Sequence, residues 1–157
     1  MANNLAEEIN WVYTFERECA IRDAYAKNLN DIWGGEEKLI GTEIVHPSEG
    51  VRADMRTVNK REVITEWEFK LVADYSAIGQ ILVYMALLKE FYGFKRSVRG
   101  IIAAITIPEK IRLAVKINAL EVDLVEIPTW LYNAGKPTLV QKTSSKSIHI
   151  PLNDKRL

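Results

Sequence analysis

Over the first thirty residues the apolar positions Leu5, Ile9, Val12, Tyr13 and Ala20 recur at helical spacing, with Glu7, Arg17 and Asp23 between them. That pattern predicts an amphipathic helix from Leu5 to about Leu29. Gly34 and Gly35 close it, and three strand-like stretches follow: Lys38 to His46, Val51 to Asn59 and Glu62 to Lys70. Pro47 and Gly50 separate the first two, and polar residues around Lys60 and Arg61 make a short turn before the third. Short runs joined by such turns read as an antiparallel meander.

From Tyr75 to Tyr92 the chain lacks proline and sets Ile78, Ile81, Met85, Leu88 and Tyr92 on one helical face, with Gly93 as a stop. Val98 to Ile107 is almost continuously apolar, as in a strand buried on both faces. Pro108 suits the first turn of a helix through about Leu120, although Ile111, Val115 and Ile117 also fit a strand. Val122 to Ile127 reads as another strand, residues 143 to 147 as a mobile loop, and residues 147 to 151 as an edge strand. The expected fold is α+β with an α/β-like core: a mixed central sheet containing the meander, enclosed by helices.

The chain has 157 residues, 48% of them apolar, which suits a single domain with one hydrophobic core. No apolar run is long enough to span a membrane, and the N-terminus does not resemble a signal peptide, so an intracellular protein is expected. A lone Cys19 excludes an internal disulfide and a four-cysteine metal site within one chain, and two histidines make a histidine cluster a poor explanation. Any bound metal would therefore take oxygen ligands. The net charge of zero conceals an asymmetry: residues 1 to 50 carry 4 Lys/Arg against 10 Asp/Glu, and residues 51 to 157 carry 17 against 11. The basic part could meet a nucleic acid while the acidic part supplies carboxylates; an ordinary patchwork surface explains the split equally well. The four tryptophans are expected in core and rim packing rather than as base-stacking platforms.

Strand parity puts Glu66, Glu68 and Lys70 on one face of the third strand and Thr65, Trp67 and Phe69 on the other. Asp54 lies on the preceding strand. If Lys60 and Arg61 form a two-residue loop, Asp54 falls opposite Trp67 and faces away from Glu68. A three-residue loop that pairs Asn59 with Val63 puts Asp54 directly opposite Glu68. Carboxylates brought together in this way repel one another unless a cation or a proton intervenes, and oxygen ligands suit Mg²⁺ or Mn²⁺. The alternative is a solvated charge ladder of Glu66, Glu68 and Lys70 with Arg52 and Arg56.

An acid on one strand followed by E-x-K on the next, here Asp54 and then Glu68-Phe69-Lys70, resembles the signature of the PD-(D/E)xK nuclease superfamily. Gln80 and Tyr84 on the following helix look like the Q-x-x-x-Y motif of its RecB-like branch. The resemblance covers about two-thirds of the chain. It implies a restriction-endonuclease-like fold and a Mg²⁺- or Mn²⁺-dependent deoxyribonuclease, exonucleolytic or endonucleolytic. Asp54 and Glu68 would hold metal, Lys70 would assist the attacking water, Glu66 would stand by as a further ligand or water partner, and Gln80 and Tyr84 would orient DNA. Many members add an acid from the first helix; Glu16 is the candidate, with Glu8 and Glu18 as rivals. Ala53 stands where the motif's name places proline, and one cysteine cannot support the iron-sulfur cluster of some RecB-like members. The alternative function is a catalytically inactive module of the same fold that binds DNA or joins a DNA-processing assembly. Expected partners are DNA and either further copies of the chain or the other subunits of such an assembly, with no membrane.

Overall fold

The computed structural model describes residues 2–47 and 50–137. The expected loop and edge strand beyond residue 142 lie outside these residues. Helix α1 spans Ala2–Lys27 and is followed by a short helix α2, Leu29–Trp33, which ends at Gly34 in the left-handed conformation. Strands β1, Glu37–Val45, β2, Arg52–Asn59, and β3, Ile64–Val72, form the antiparallel meander. Helix α3, Tyr75–Phe91, then carries the chain over to β4, Val98–Thr106, which lies parallel to β3. Helix α4, Glu109–Ile117, leads to β5, Val122–Glu126, parallel to β4. Pro108 is the N-cap of α4, which settles the open choice between helix and strand in favour of helix.

The five strands lie in sequence order, β1-β2-β3-β4-β5, in one mixed sheet. Each face of the sheet carries its own core. On one face Ile81, Met85 and Leu88 of α3 and Ile111 of α4 pack on Ile64, Ile102 and Ala104. On the other, Ile21 and Tyr25 of α1 pack on Trp67, Phe69, Ile101 and Ala103. Alternation in β3 and β4 divides neighbouring residues between the two cores, which is why Val98 to Ile107 shows no polar face in the sequence. Helix α3 lies so close to β4 that a Cβ on Gly100 would come within 2.6 Å of Met85 Sδ and 2.7 Å of Ile81 Cγ1. Among the described residues, no helix is long and apolar enough to cross a membrane.

Candidate active site

The turn between β2 and β3 fixes the site. Met55 pairs with Trp67, Arg56 with Glu66, Thr57 with Thr65 and Val58 with Ile64, and the Asn59 amide donates to the Val63 carbonyl. This is the three-residue register, and its continuation sets Asp54 against Glu68. The Asn59 side chain accepts from the amides of Arg61 and Val63, and Glu62 takes the left-handed conformation at φ +61° that a three-residue loop commonly needs. With no glycine at residue 62, composition does not choose this turn over the two-residue one.

Beyond Met55 the two strands part. Ala53 packs in the α3-side core and Met55 in the α1-side core, so the alternation of β2 breaks at Asp54. Glu43, on the neighbouring stretch of β1, has φ +50°. The parting would leave the amides of Phe69 and Leu71 without strand partners, a costly loss for buried backbone. Carboxylates replace the missing carbonyls: Phe69 N donates to Asp54 Oδ2 at 2.7 Å, and Leu71 N donates to Glu18 Oε1 at 3.0 Å.

A cleft of about 330 Å³ opens where the strands part, between α1 and α3, and Asp54, Glu68, Lys70, Gln80, Tyr84 and Glu18 all line it. Helix α3 begins two residues after β3, with the Asp74 side chain accepting from Ala77 N. Its buried stripe of Ala77, Ile81, Tyr84 and Leu88 turns Tyr84 inward, and Gln80 lies one turn before it. Lys70 Nζ stands 3.1 Å from Glu68 Oε1, while Glu68 Oε2 is buried without a hydrogen-bond partner among the described residues.

Burial, and then the facing Asp54 carboxylate, push Glu68 up to about 7 against the pull of Lys70. Burial also raises Asp54, despite the Phe69 amide and the charges of Arg22, Lys70 and Arg52. Glu18 is raised chiefly by burial, which outweighs the Leu71 amide. Burial works against the Lys70 ammonium, but Glu68 and Glu18 hold it above its ordinary range. The Tyr84 phenol is raised by burial and by facing Glu68 and Asp54, so it stays protonated and can donate a hydrogen bond. No three of the described histidine, cysteine or carboxylate side chains form a cluster able to hold an ion unaided. A Mg²⁺ ion needs fewer, because it keeps several waters and takes one or two carboxylates. Asp54 and Glu68 with its unpartnered oxygen fit such a site.

Two of the expected residues lie elsewhere. Glu66 is fully buried and bonded to Arg56, with Nε and Nη2 both 2.6 Å from Oε1, and it does not line the cleft. The register that sets Asp54 against Glu68 also sets Arg56 against Glu66, so the pair follows from the turn. Glu16 is exposed on α1, and Glu18 is the helix-one acid in the cleft. The stripe through Val12 and Tyr13 that favours Glu16 faces solvent, and counting back from the buried Ile21 and Tyr25 leads to Glu18. Sequence reasoning also passed over Arg22, which lines the cleft nearly sealed from solvent, held by Asp23 at 2.9 Å and Glu43 at 3.3 Å. The basic residues after α3 serve another region. Arg96 lies over Tyr92 and Arg99 pairs with Glu37 and Asp123, beside a separate cavity of about 460 Å³ that contains none of the site acids.

No protein-family model matches the chain, and no curated protein sequence matches it. Among solved structures it is similar to a repair endonuclease from Pyrococcus abyssi, at 29% identity and a TM-score of 0.55. The match covers 71% of this chain and 47% of that one. It has the same fold as an EndoMS–dsDNA complex, at 23% identity and a TM-score of 0.55 over 71% of this chain and 45% of that one. EndoMS in its apo form matches at 23% identity and a TM-score of 0.50, over 71% of this chain and 47% of that one. The chain thus spans about half the length of these structures. Its mixed sheet with flanking helices is a restriction-endonuclease-like nuclease fold.

Proposed function

We propose that this chain is a DNA nuclease unit that hydrolyses phosphodiester bonds with Mg²⁺ or Mn²⁺ held by Asp54 and Glu68. The observation that carries the reading is the register of the β2–β3 turn: it brings the buried Glu68 carboxylate and the half-buried Asp54 carboxylate together in an open cleft and leaves one Glu68 oxygen unpartnered. Folding two like charges together is unfavourable unless something neutralises them, and a cation does so while leaving both acids ionised. A bound Mg²⁺ or Mn²⁺ would acidify and orient the attacking water and offset charge developing on the phosphate.

The protein's own groups do the rest. Lys70, ionised and 3.1 Å from Glu68, is set to orient the water or meet a phosphate oxygen. Tyr84, protonated beside Glu68, can donate to the substrate, and Gln80 one turn before it offers a further donor to the substrate backbone. Glu18 braces the Leu71 amide and adds a third negative charge near Asp54 and Lys70. Gln80 and Tyr84 facing the cleft agree with a RecB-like arrangement. The likeness to a repair endonuclease supports internal cleavage and a DNA substrate.

The test is to incubate covalently closed circular DNA and linear DNA with the protein and Mn²⁺, beside Glu68→Ala and Lys70→Ala. Cutting of the circle by the wild type, lost in both variants, is the expected result. Equal cutting by all three proteins would mean a contaminating nuclease, and no cutting under any condition would favour a DNA-binding module without catalysis.

A further inference from the structure

We propose that Trp11 and Phe15 of α1 form a seat for one nucleobase of the strand whose phosphate enters the cleft, an assignment that rests on reading the cleft as a nucleic-acid site. The two rings stack on each other, centroids 5.5 Å apart and planes 6° from parallel. Both line the cleft that contains Asp54, Glu68 and Lys70. They nonetheless remain 66% and 40% exposed, so the stack does not belong to either core. Large apolar rings left in water at the edge of a polar cleft are unfavourable unless a partner covers them.

Their place on the helix indicates what that partner is. Trp11, Phe15, Glu18 and Arg22 follow one another at spacings of four, three and four residues, which is a single helical face. The face therefore runs from aromatic rings to an acid and then to a guanidinium inside the cleft. Seven residues from Trp11 to Glu18 span about 10 Å of helix, or about three nucleotide steps at duplex rise. A strand with its phosphate at the acids would carry a flanking base to Trp11. A planar base on an anionic backbone matches both the rings on α1 and the more accessible cations Arg52 and Lys70 of the strands across the cleft. An apolar protein segment would match only the rings.

Binding is measured in EDTA, so that cutting plays no part, with an oligonucleotide bearing 2-aminopurine at successive positions. Wild-type protein is expected to quench the probe at one or two adjacent positions. Trp11→Ala should abolish that quenching and weaken binding about tenfold or more, the usual scale of losing one stacked base, while Trp11→Phe should retain most of both. Replacing the quenched nucleotide with an abasic one should weaken wild-type binding and leave Trp11→Ala unaffected. Unchanged binding by Trp11→Ala, or no position-specific quenching by the wild type, overturns the seat. So does a Trp11→Ala protein whose only change is loss of self-association in sedimentation, since the rings would then face a second copy. Position-specific quenching without cutting in Mn²⁺ would uphold the seat and defeat catalysis; cutting with an indifferent Trp11 would do the reverse.

Discussion

Glu66 and Glu68 lie two residues apart on β3, project to the same side of the sheet and are both almost wholly buried. Their neighbours differ because β2 stays beside one and leaves the other. At Glu66 the ladder is intact and sets Arg56 opposite, so a buried acid meets a buried base. At Glu68 the ladder has parted and Asp54 stands across, so acid meets acid, with Lys70 of the same strand as the nearest cation. A buried glutamate thus meets a base or another acid according to the residue one strand away. The register decides which.

Charge neutralisation by Glu66→Gln and Glu68→Gln tests this contrast most directly. Glu68→Gln is expected to lower the rate of DNA cutting in Mn²⁺ by about a thousandfold, on the order of 4 kcal/mol of barrier. Glu66→Gln should stay within a fewfold of wild type per folded molecule. Comparable losses in both would erase the distinction.

The next largest effect belongs to stability. Arg56→Ala leaves Glu66 as an uncompensated buried charge and should cost about 3 kcal/mol in urea unfolding. Lys70→Ala should cost much less at neutral pH, because Glu68, already pushed up to about 7, can take a proton instead. A Lys70→Ala protein as unstable as Arg56→Ala would show that the two ends of β3 are equivalent.

pH separates them further. Glu68 holds its proton more tightly folded than unfolded, so the folded state binds more protons between about 4.5 and 7 and stability falls as pH rises through that window. The share due to Glu68 in EDTA is of order 1–3 kcal/mol and is absent in Glu68→Gln, where the raised Asp54 and Glu18 leave a smaller fall. Added Mn²⁺ should raise the melting temperature at pH 8 more than at pH 5, by linkage. A wild-type profile that rises with pH through the same window would contradict the assignment.

The smallest contrast is on α1. Glu18→Gln preserves an oxygen for Leu71 N and should reduce cutting about tenfold, whereas Glu16→Gln should leave it unchanged. Equal effects would undo the helix phase set by Ile21 and Tyr25.

These contrasts also mark what could be read without a structure. The meander strands and the long helix were legible because each follows one period over many residues, and β4 because an almost unbroken apolar run marks a strand buried on both faces. The shared face of Glu68 and Lys70 followed from parity alone. Whether Asp54 joined them depended on a single residue of loop length, and the answer lay in the Asn59 side chain and the left-handed Glu62, neither of which composition announces. The true role of Glu66 was hidden behind the same unknown. Glu18 was within reach, but the exposed start of α1 lent its apolar residues to a stripe that never meets the core. Composition points Trp11 to packing, and its exposure shows that a helix can carry aromatic rings that neither core uses.

The carboxylates that cap the parted edge of β3 answer to two demands. The fold asks positions 54 and 18 only for an oxygen that accepts from an amide, which asparagine or glutamine also supplies; the proposed hydrolysis would ask them for negative charge. A relative of this fold that does not cut DNA could therefore carry amides at these positions and keep its shape, and an amide there would mark it as such in an otherwise intact protein.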